Sequence, residues 1–305
     1  MKIYAPEYYK NFTCIADRCR HSCCIGWEID IDEGTANLYL SLEKGYGKSI
    51  KESVDTDGVP HFCLSANDRC PHLNDCGLCR IILELGEDYL CEICREHPRF
   101  YNDTCRGKEV GLGMSCEEAC RIILSSENYG NFITVGELDE DPELCELDTV
   151  ALRERIYAIL SNSALPYTVR RNEISRVFGT AELDDTEAIE LIASLEYLDE
   201  NHKKLFLEYS SDVSTPQKHE KALERALAYF IFRHCTEAVD ENEYRATIGF
   251  CLFCEKLLAS ILTSQNATSE EEIATLARIL SEEIEYSEDN TNAIISAFYS
   301  KNVDF

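Results

Sequence analysis

Thirteen of the 17 cysteines in this 305-residue chain lie between Cys14 and Cys120. They fall into groups: Cys14-x4-Cys19-x3-Cys23-Cys24, Cys70-Pro71-x7-Cys79 with Cys76-x2-Cys79 inside it, and Cys91-x2-Cys94. Thiolates spaced this closely repel one another and oxidise unless something positive lies between them. A metal ion or an iron–sulfur cluster is the usual partner. The Cys-x2-Cys pairs have the spacing of metal knuckles. Cys23 and Cys24 are adjacent, and their diverging β-carbons make it hard for both to hold one tetrahedral ion. One can bind while the other supports it, the two can serve different sites, or one can be a buried structural cysteine beside a real ligand.

The donor set leaves the metal open. Four thiolates around Zn²⁺ or around [4Fe–4S]²⁺ carry the same net charge, so electrostatics does not choose between them. Arg95 and Arg99 follow Cys94 and could offset that charge or hold an anionic group; the plain alternative is a pair of surface arginines. A structural zinc would contribute on the order of 10–16 kcal/mol of apparent folding free energy, so the domain would depend on its metal. His21, His61, His72 and His97 lie among the cysteines and read as hydrogen-bonded or surface side chains rather than ligands. Cys251 and Cys254 lie in an apolar helical stretch and read as core, as do Cys145 and Cys235. The Cys-x3-Cys-x2-Cys spacing of radical chemistry is absent: Cys19-x3-Cys23 leads to Gly26, and Cys116-x3-Cys120 leads to Ile123. The glycine-rich loop of nucleotide-binding α/β folds and the serine-hydrolase signature are absent too.

Composition narrows the classes further. The formal net charge is −28, of which −8 lies in residues 1–135 and −20 in residues 136–305. A chain this acidic repels phosphate backbones, which argues against nucleic acid as a partner; it would attract basic, lysine-bearing surfaces, the plain alternative being an acidic surface kept for solubility. The sequence has no run of about 18 apolar residues and no apolar secretory region near Met1. The expected setting is therefore the cytoplasm, with no membrane partner. Disulfides are rare in that compartment, and an odd number of cysteines cannot all pair.

The elements around these residues are read as follows. Residues 1–13 are an aromatic lead-in packed on the cysteine domain. Trp27–Ile31 alternate as a short strand, and Asp32 caps a helix through about Leu42. Gly45–Asp68 is loop-like. Cys79–Leu85 forms a helix stopped by Gly86, and Glu87–Cys94 a second one ended before Pro98. Ser115 and Glu118 have capping-box spacing for a helix over Cys116–Ser125, with Cys116 and Cys120 one turn apart. Beyond residue 148 the pattern is helical, with starts at Asp184/Glu187, Thr215-Pro216, Asp240/Glu243 and Ser269/Glu272. The fold class is mainly α: a cysteine-rich, metal-nucleated N-terminal domain with little β over 1–135, an acidic linker over 136–147, and an α-helical domain over 148–305.

The run Cys14-x4-Cys19-x3-Cys23-Cys24-x2-Trp27, then Cys70-Pro71-x-Leu73 with Gly77-Leu78-Cys79, Gly86-Glu87, Cys94-Arg95-x2-Pro98-Arg99 and Ser115-Cys116 resembles the bacterial flagellin lysine-N-methylases. These belong to a wider group with a cysteine-rich zinc- or iron-chelating domain. The resemblance covers roughly residues 1–125; the helical remainder, including Phe232-Arg233-His234, is compatible with it. Eight cysteines fall on the family pattern: Cys14, Cys19, Cys23, Cys24, Cys70, Cys79, Cys94 and Cys116. Cys63, Cys76, Cys91, Cys105 and Cys120 are additional and could replace or augment a ligand. The resemblance implies methyl transfer from S-adenosylmethionine to lysine ε-amines of flagellin, with a [4Fe–4S] cluster, zinc being the alternative metal. The rival reading is a non-enzymatic metal-binding or interaction module whose metal only holds the fold.

Overall fold

In a computed structural model, residues 1–142, 145–212 and 217–303 are described. The chain divides into two units, one of residues Thr13–Arg99 and one of Met1–Phe12 with Phe100–Phe305. This differs from a division at 135. The aromatic lead-in belongs to the second unit: Tyr8 lies in its core, with Tyr9 and Phe12 packed against it. The physical reason is strand pairing. Strand β1 (Lys2–Pro6) runs parallel to β5 (Gly107–Leu112) and antiparallel to β6 (Phe132–Glu137), and β4 (Arg99–Thr104) completes a sheet of order β4-β5-β1-β6. The backbone polar groups of residues 2–6 are thus satisfied by chain a hundred residues away. The expected acidic linker begins in this sheet, since Gly136 and Glu137 belong to β6.

The smaller unit is short helices tied by loops. They are α1 (Glu33–Ser41), α2 (Tyr46–Glu52), α3 (Arg80–Leu85) and α4 (Glu92–Glu96), with a two-stranded ribbon of β2 (Val54–Asp55) and β3 (His61–Phe62). Asp32 caps α1 as expected: its Oδ1 accepts from Thr35 N at 2.9 Å. Its Oδ2 also accepts from Glu92 N at 2.9 Å, so one carboxylate caps two helices and fixes α4 beside α1. Gly86, at φ +100°, stops α3. Three expectations need correction. Trp27–Ile31 makes only an isolated bridge, from Asp30 to His61. The stretch Gly45–Asp68 holds α2 and the ribbon rather than loop alone. Glu87–Cys94 is a 3-10 turn over Glu87–Tyr89 followed by α4, because Cys91 caps a new helix instead of continuing one.

The larger unit is mainly helical: α5 (Glu117–Ser125), α6 (Thr149–Leu160), α7 (Tyr167–Phe178), α8 (Asp185–Ser194), α9 (Glu200–Phe206), α10 (Gln217–His234), α11 (Glu241–Ser264), α12 (Glu270–Ile284) and α13 (Glu288–Val303). Capping boxes at Asp184/Glu187 and Ser269/Glu272 are formed in full, and Asp240 caps α11 through Asn242 and Glu243. Thr215-Pro216 lies outside the described residues. At α5 the cap is Cys116, not Ser115, and Glu118 pairs with Arg121 at 2.6 Å instead of closing a box. Helix α11 is long and apolar enough to cross a membrane, but most of it is buried inside the unit as a core helix. It packs on α7, α10, α12 and α13. Gly249 lets α13 close on it, for a Cβ there would meet Phe298 at 2.5 Å. Cys235, Cys251 and Cys254 are core, as expected; Cys145 is exposed, because it lies in the acidic segment before α6 rather than on a helix face.

Candidate functional site

Backbone pairing brings five thiols of the smaller unit towards one another. Cys70 N donates to Cys24 O at 2.9 Å, and Gly26 N to Asp68 O at 2.9 Å, which lays the Cys24 loop along the Cys70 loop. Trp27 Nε1 donates to Cys23 O at 2.8 Å and pins the double-cysteine turn. A bridge from Leu73 to Cys79, with Arg80 N on His72 O at 2.8 Å, folds Cys79 back towards Cys70. Asn74 Oδ1 holds the intervening turn by accepting from Cys76 N and Leu78 N, both at 2.9 Å. The doubly capping Asp32 then fixes the α4 N-terminus, and with it Cys91 and Cys94. Tyr39 Oη, donating to Tyr89 O at 2.6 Å, closes the far wall.

Cys24, Cys70, Cys79, Cys91 and Cys94 form a chain of electrostatic neighbours; Cys70 and Cys91 are buried in one cluster, and Cys24, Cys79 and Cys94 pack against it partly buried. Burial pushes the Cys70 thiol up to about 12 and raises Cys79 as well. Opposing this, the amides of His72 and Leu73 favour the Cys70 thiolate, those of Ile82 and Ile81 the Cys79 thiolate, and that of Cys94 the Cys91 thiolate. Amides two and three residues beyond a cysteine stabilise an anionic sulfur, which is the support a metal-bound thiolate uses. Two neighbouring pairs share protons. The Cys23 thiol brings Cys24 down to about 7, and Cys94 lowers Cys91 while itself being held far up by it.

The donor chemistry therefore fits a thiolate-bound ion or cluster. The placement is a concentration of donors rather than a closed coordination sphere: among the described residues, no group of three or more His, Cys, Asp or Glu side chains is placed to hold one ion. Of the eight cysteines on the family pattern, Cys24, Cys70, Cys79 and Cys94 come together, with Cys23 touching Cys24. Cys14 is exposed and Cys19 half-buried, on the segment around a 3-10 turn at Ala16–Arg18. Cys116 belongs to the larger unit. Cys91 joins the cluster although it is outside the pattern; its Cys-x2-Cys spacing with Cys94 was the signal that marked it. Cys63 and Cys76 are exposed. Arg95 lies 3.7 Å from Glu96, and Arg99 Nη1 lies against the Arg95 and Glu96 carbonyls. His72 is a structural histidine, held between Tyr46 Oη at 2.7 Å and Ser53 Oγ at 2.8 Å.

The larger unit holds a second polar centre that the sequence marked only through Phe232-Arg233-His234. Glu285 is buried on α12's C-cap and takes His234 Nε2 at 2.6 Å and Tyr229 Oη at 3.2 Å, with Arg233 Nε at 3.4 Å. Tyr229 Oη in turn accepts from Arg233 Nη1 at 3.0 Å and from Met114 N at 3.1 Å. Burial pushes the Glu285 carboxyl up, but the Arg233 guanidinium and His234 outweigh it and keep it an anion. The Arg233 guanidinium lies 5.1 Å over the Phe100 ring. Cys120 is near the same charges: Arg278 and Glu285 both act on it, and burial pushes its thiol up. These bonds tie α10, α12 and the Met114 segment into one arrangement.

A family model described as the FliB lysine N-methylase C-terminal domain matches residues 132–304, from β6 through α13. That is the helical part, not the cysteine-rich stretch that carried the resemblance. A stretch of 134 residues is 28% identical to a lysine-N-methylase of Salmonella choleraesuis and to one of Salmonella typhimurium, covering 39% of this chain and 32% of each of those proteins. A stretch of 127 residues is 27% identical to the flagellar biosynthetic protein FliU of Salmonella muenchen, covering 39% of this chain and 75% of that one. The matched stretch thus spans about a third of the length of the curated lysine-N-methylases. No solved structure matches the chain. With the family model covering more than half of its length, the chain belongs to the FliB lysine N-methylase family.

Proposed function

We propose that this chain is a cytoplasmic methyltransferase that moves the methyl group of S-adenosylmethionine to lysine ε-amines of flagellin, and that its thiol-rich unit carries a [4Fe–4S] cluster. Family membership across the helical part is the observation that carries the reading. The names lysine-N-methylase and flagellar biosynthetic protein FliU, borne by relatives, support lysine methylation and a flagellar substrate. The residues that would hold the cluster are drawn from Cys24, Cys70, Cys79, Cys91 and Cys94; neighbouring amides favour the thiolates of Cys70, Cys79 and Cys91. When bound, such a cluster supplies positive charge and an organising centre for the small unit.

The chain's own charge bears on the substrate. A net −28 draws a lysine-bearing protein surface towards it. The reacting amine must also be neutral, and deprotonating a lysine of pKa ~10.4 at pH 7 costs roughly 4.6 kcal/mol in water. Desolvation of the lysine on docking lowers that cost, because burial disfavours the ammonium form. The amine nitrogen then attacks the sulfonium methyl carbon in line, the carbon–sulfur bond breaks, and the proton leaves to water. The test uses the full chain purified without oxygen, with flagellin and methyl-labelled S-adenosylmethionine. Label on flagellin lysines that requires the chain supports the reading. A folded, metal-loaded chain that transfers no label to flagellin overturns it in favour of a metal-binding interaction module.

A further inference from the structure

We propose that Cys105 and Cys145 form a reversible dithiol–disulfide pair at the surface of the larger unit, with low-molecular-weight disulfides of the glutathione type as its oxidant. Neither residue belongs to the thiol-rich unit or to the eight cysteines on the family pattern. Cys105 occupies the turn between β4 and β5. Thr104 Oγ1 stiffens that turn, donating to Gly107 O at 2.6 Å and accepting from Arg106 N at 3.2 Å. Arg106 reaches from the turn to Asp148 and to Glu154, both at 3.0 Å. Asp148 is itself fixed, because it caps α6 through Ala151 N at 2.9 Å. The clamp therefore holds the residues just before α6 against the turn, which brings Cys145, in the same segment as Asp148, beside Cys105; both Cys145 and Asp148 act on the Cys105 thiol.

Access separates this pair from the other close thiols of the unit. Cys235 and Cys251 lie 3.8 Å apart at their sulfurs, but both are fully buried and no oxidant reaches them. Cys145 is exposed and Cys105 half-exposed. Burial and the Asp148 carboxylate both raise the Cys105 thiol, and Cys145 is the more exposed of the two, so attack starts at Cys145. The Cys145 thiolate attacks one sulfur of the small disulfide, which leaves as a thiolate and takes up the proton Cys145 lost. Cys105 then gives up its proton and attacks the Cys145 sulfur, expelling the second small thiol. Two protein thiols are oxidised to one disulfide, and one small disulfide is reduced to two small thiols. Transient, sensing disulfides of this kind are the ones expected in a reducing compartment.

The experiment treats the reduced full-length chain with oxidised glutathione, quenches with an alkylating agent, and maps the peptides by mass spectrometry. The proposal expects a linked Cys105–Cys145 peptide that disappears on adding a dithiol reductant. Cys105→Ser is expected to trap glutathione on Cys145, and Cys145→Ser to lose the linked peptide while Cys105 stays open to alkylation. Both variants change solvent-facing residues, and an unchanged thermal melt confirms their fold. A stable glutathione adduct on wild-type Cys145 with Cys105 alkylated overturns the proposal. So does linkage of either residue to a different cysteine, or full alkylation of both after treatment.

Discussion

The pair Glu109–Arg153 is the sharpest test of how the larger unit is held together. Glu109 lies on β5, and Arg153 on α6. Arg153 Nη1 and Nη2 donate to the two Glu109 oxygens at 2.7 and 2.6 Å, and each side chain is only 5% exposed. The guanidinium also lies 4.6 Å over the Phe132 ring and 5.3 Å over Phe232. Sheet and helices therefore meet at one desolvated charge pair. Replacing Glu109 with Ala leaves the Arg153 charge buried and unmatched, which costs about 3–5 kcal/mol. In a unit of roughly 200 residues, each kcal/mol moves the midpoint by about 2–4 °C, so a fall of about 6–20 °C is expected. The assay is a thermal melt followed by far-ultraviolet circular dichroism, which weights this helical unit. The double variant Glu109→Leu with Arg153→Met removes both charges and keeps apolar bulk between the same rings. It is expected to regain most of the lost stability. A Glu109→Ala loss below about 1 kcal/mol, or a double variant as unstable as the single one, would refute the assignment of this pair as a buried charge that must be matched.

Two further outcomes follow from the same geometry. Cys24→Ser, Cys70→Ser, Cys79→Ser, Cys91→Ser and Cys94→Ser should each lower the metal bound per chain, whereas Cys63→Ser and Cys76→Ser should not; elemental analysis of anaerobically purified protein decides, and unaltered metal in Cys91→Ser would contradict the cluster drawn here. His202 Nδ1 bonds Glu283 Oε1 at 2.6 Å, and that hydrogen bond raises the His202 pKa. Its contribution, roughly 0.5–1 kcal/mol after solvent screening, is complete below the unfolded value of about 6.5. It fades as pH rises through the raised folded value, so the stability lost in His202→Gln should shrink between mildly acidic and alkaline buffers; a loss that grows with pH would reverse the assigned sign.

Local chemistry was legible in the sequence where a side chain acts on its own neighbourhood. Asp32, Asp184, Asp240 and Ser269 have the sequence context of caps, and each accepts the backbone amides expected of it. What could not be read was pairing over distance. Strand β1 finds its partners across about a hundred residues, and neither β1 nor β6 carries a hairpin turn or a clean alternation to announce it. The same holds for the cysteines. Spacing identified the Cys91–Cys94 knuckle, but which thiols converge depends on the Cys24–Cys70 backbone pairing and on the second amide taken by Asp32, neither of which has a local signature. Cys116 shows the converse: its spacing to Cys120 was right for a helix face, yet the sheet draws that helix into the larger unit. Tyr229 and Glu285 were invisible for a related reason, since a buried carboxylate is recognised only when the cations that match it are seen together.

Methylation itself gives the most direct test. Flagellin produced with and without this chain, in a host that lacks any flagellin methylase, is weighed by intact-mass spectrometry and its modified residues are mapped. The account predicts added masses of one methylene group per event, confined to lysine side chains and present only when the chain is co-produced. Flagellin of unmodified mass beside an abundant, folded and metal-loaded chain would contradict it.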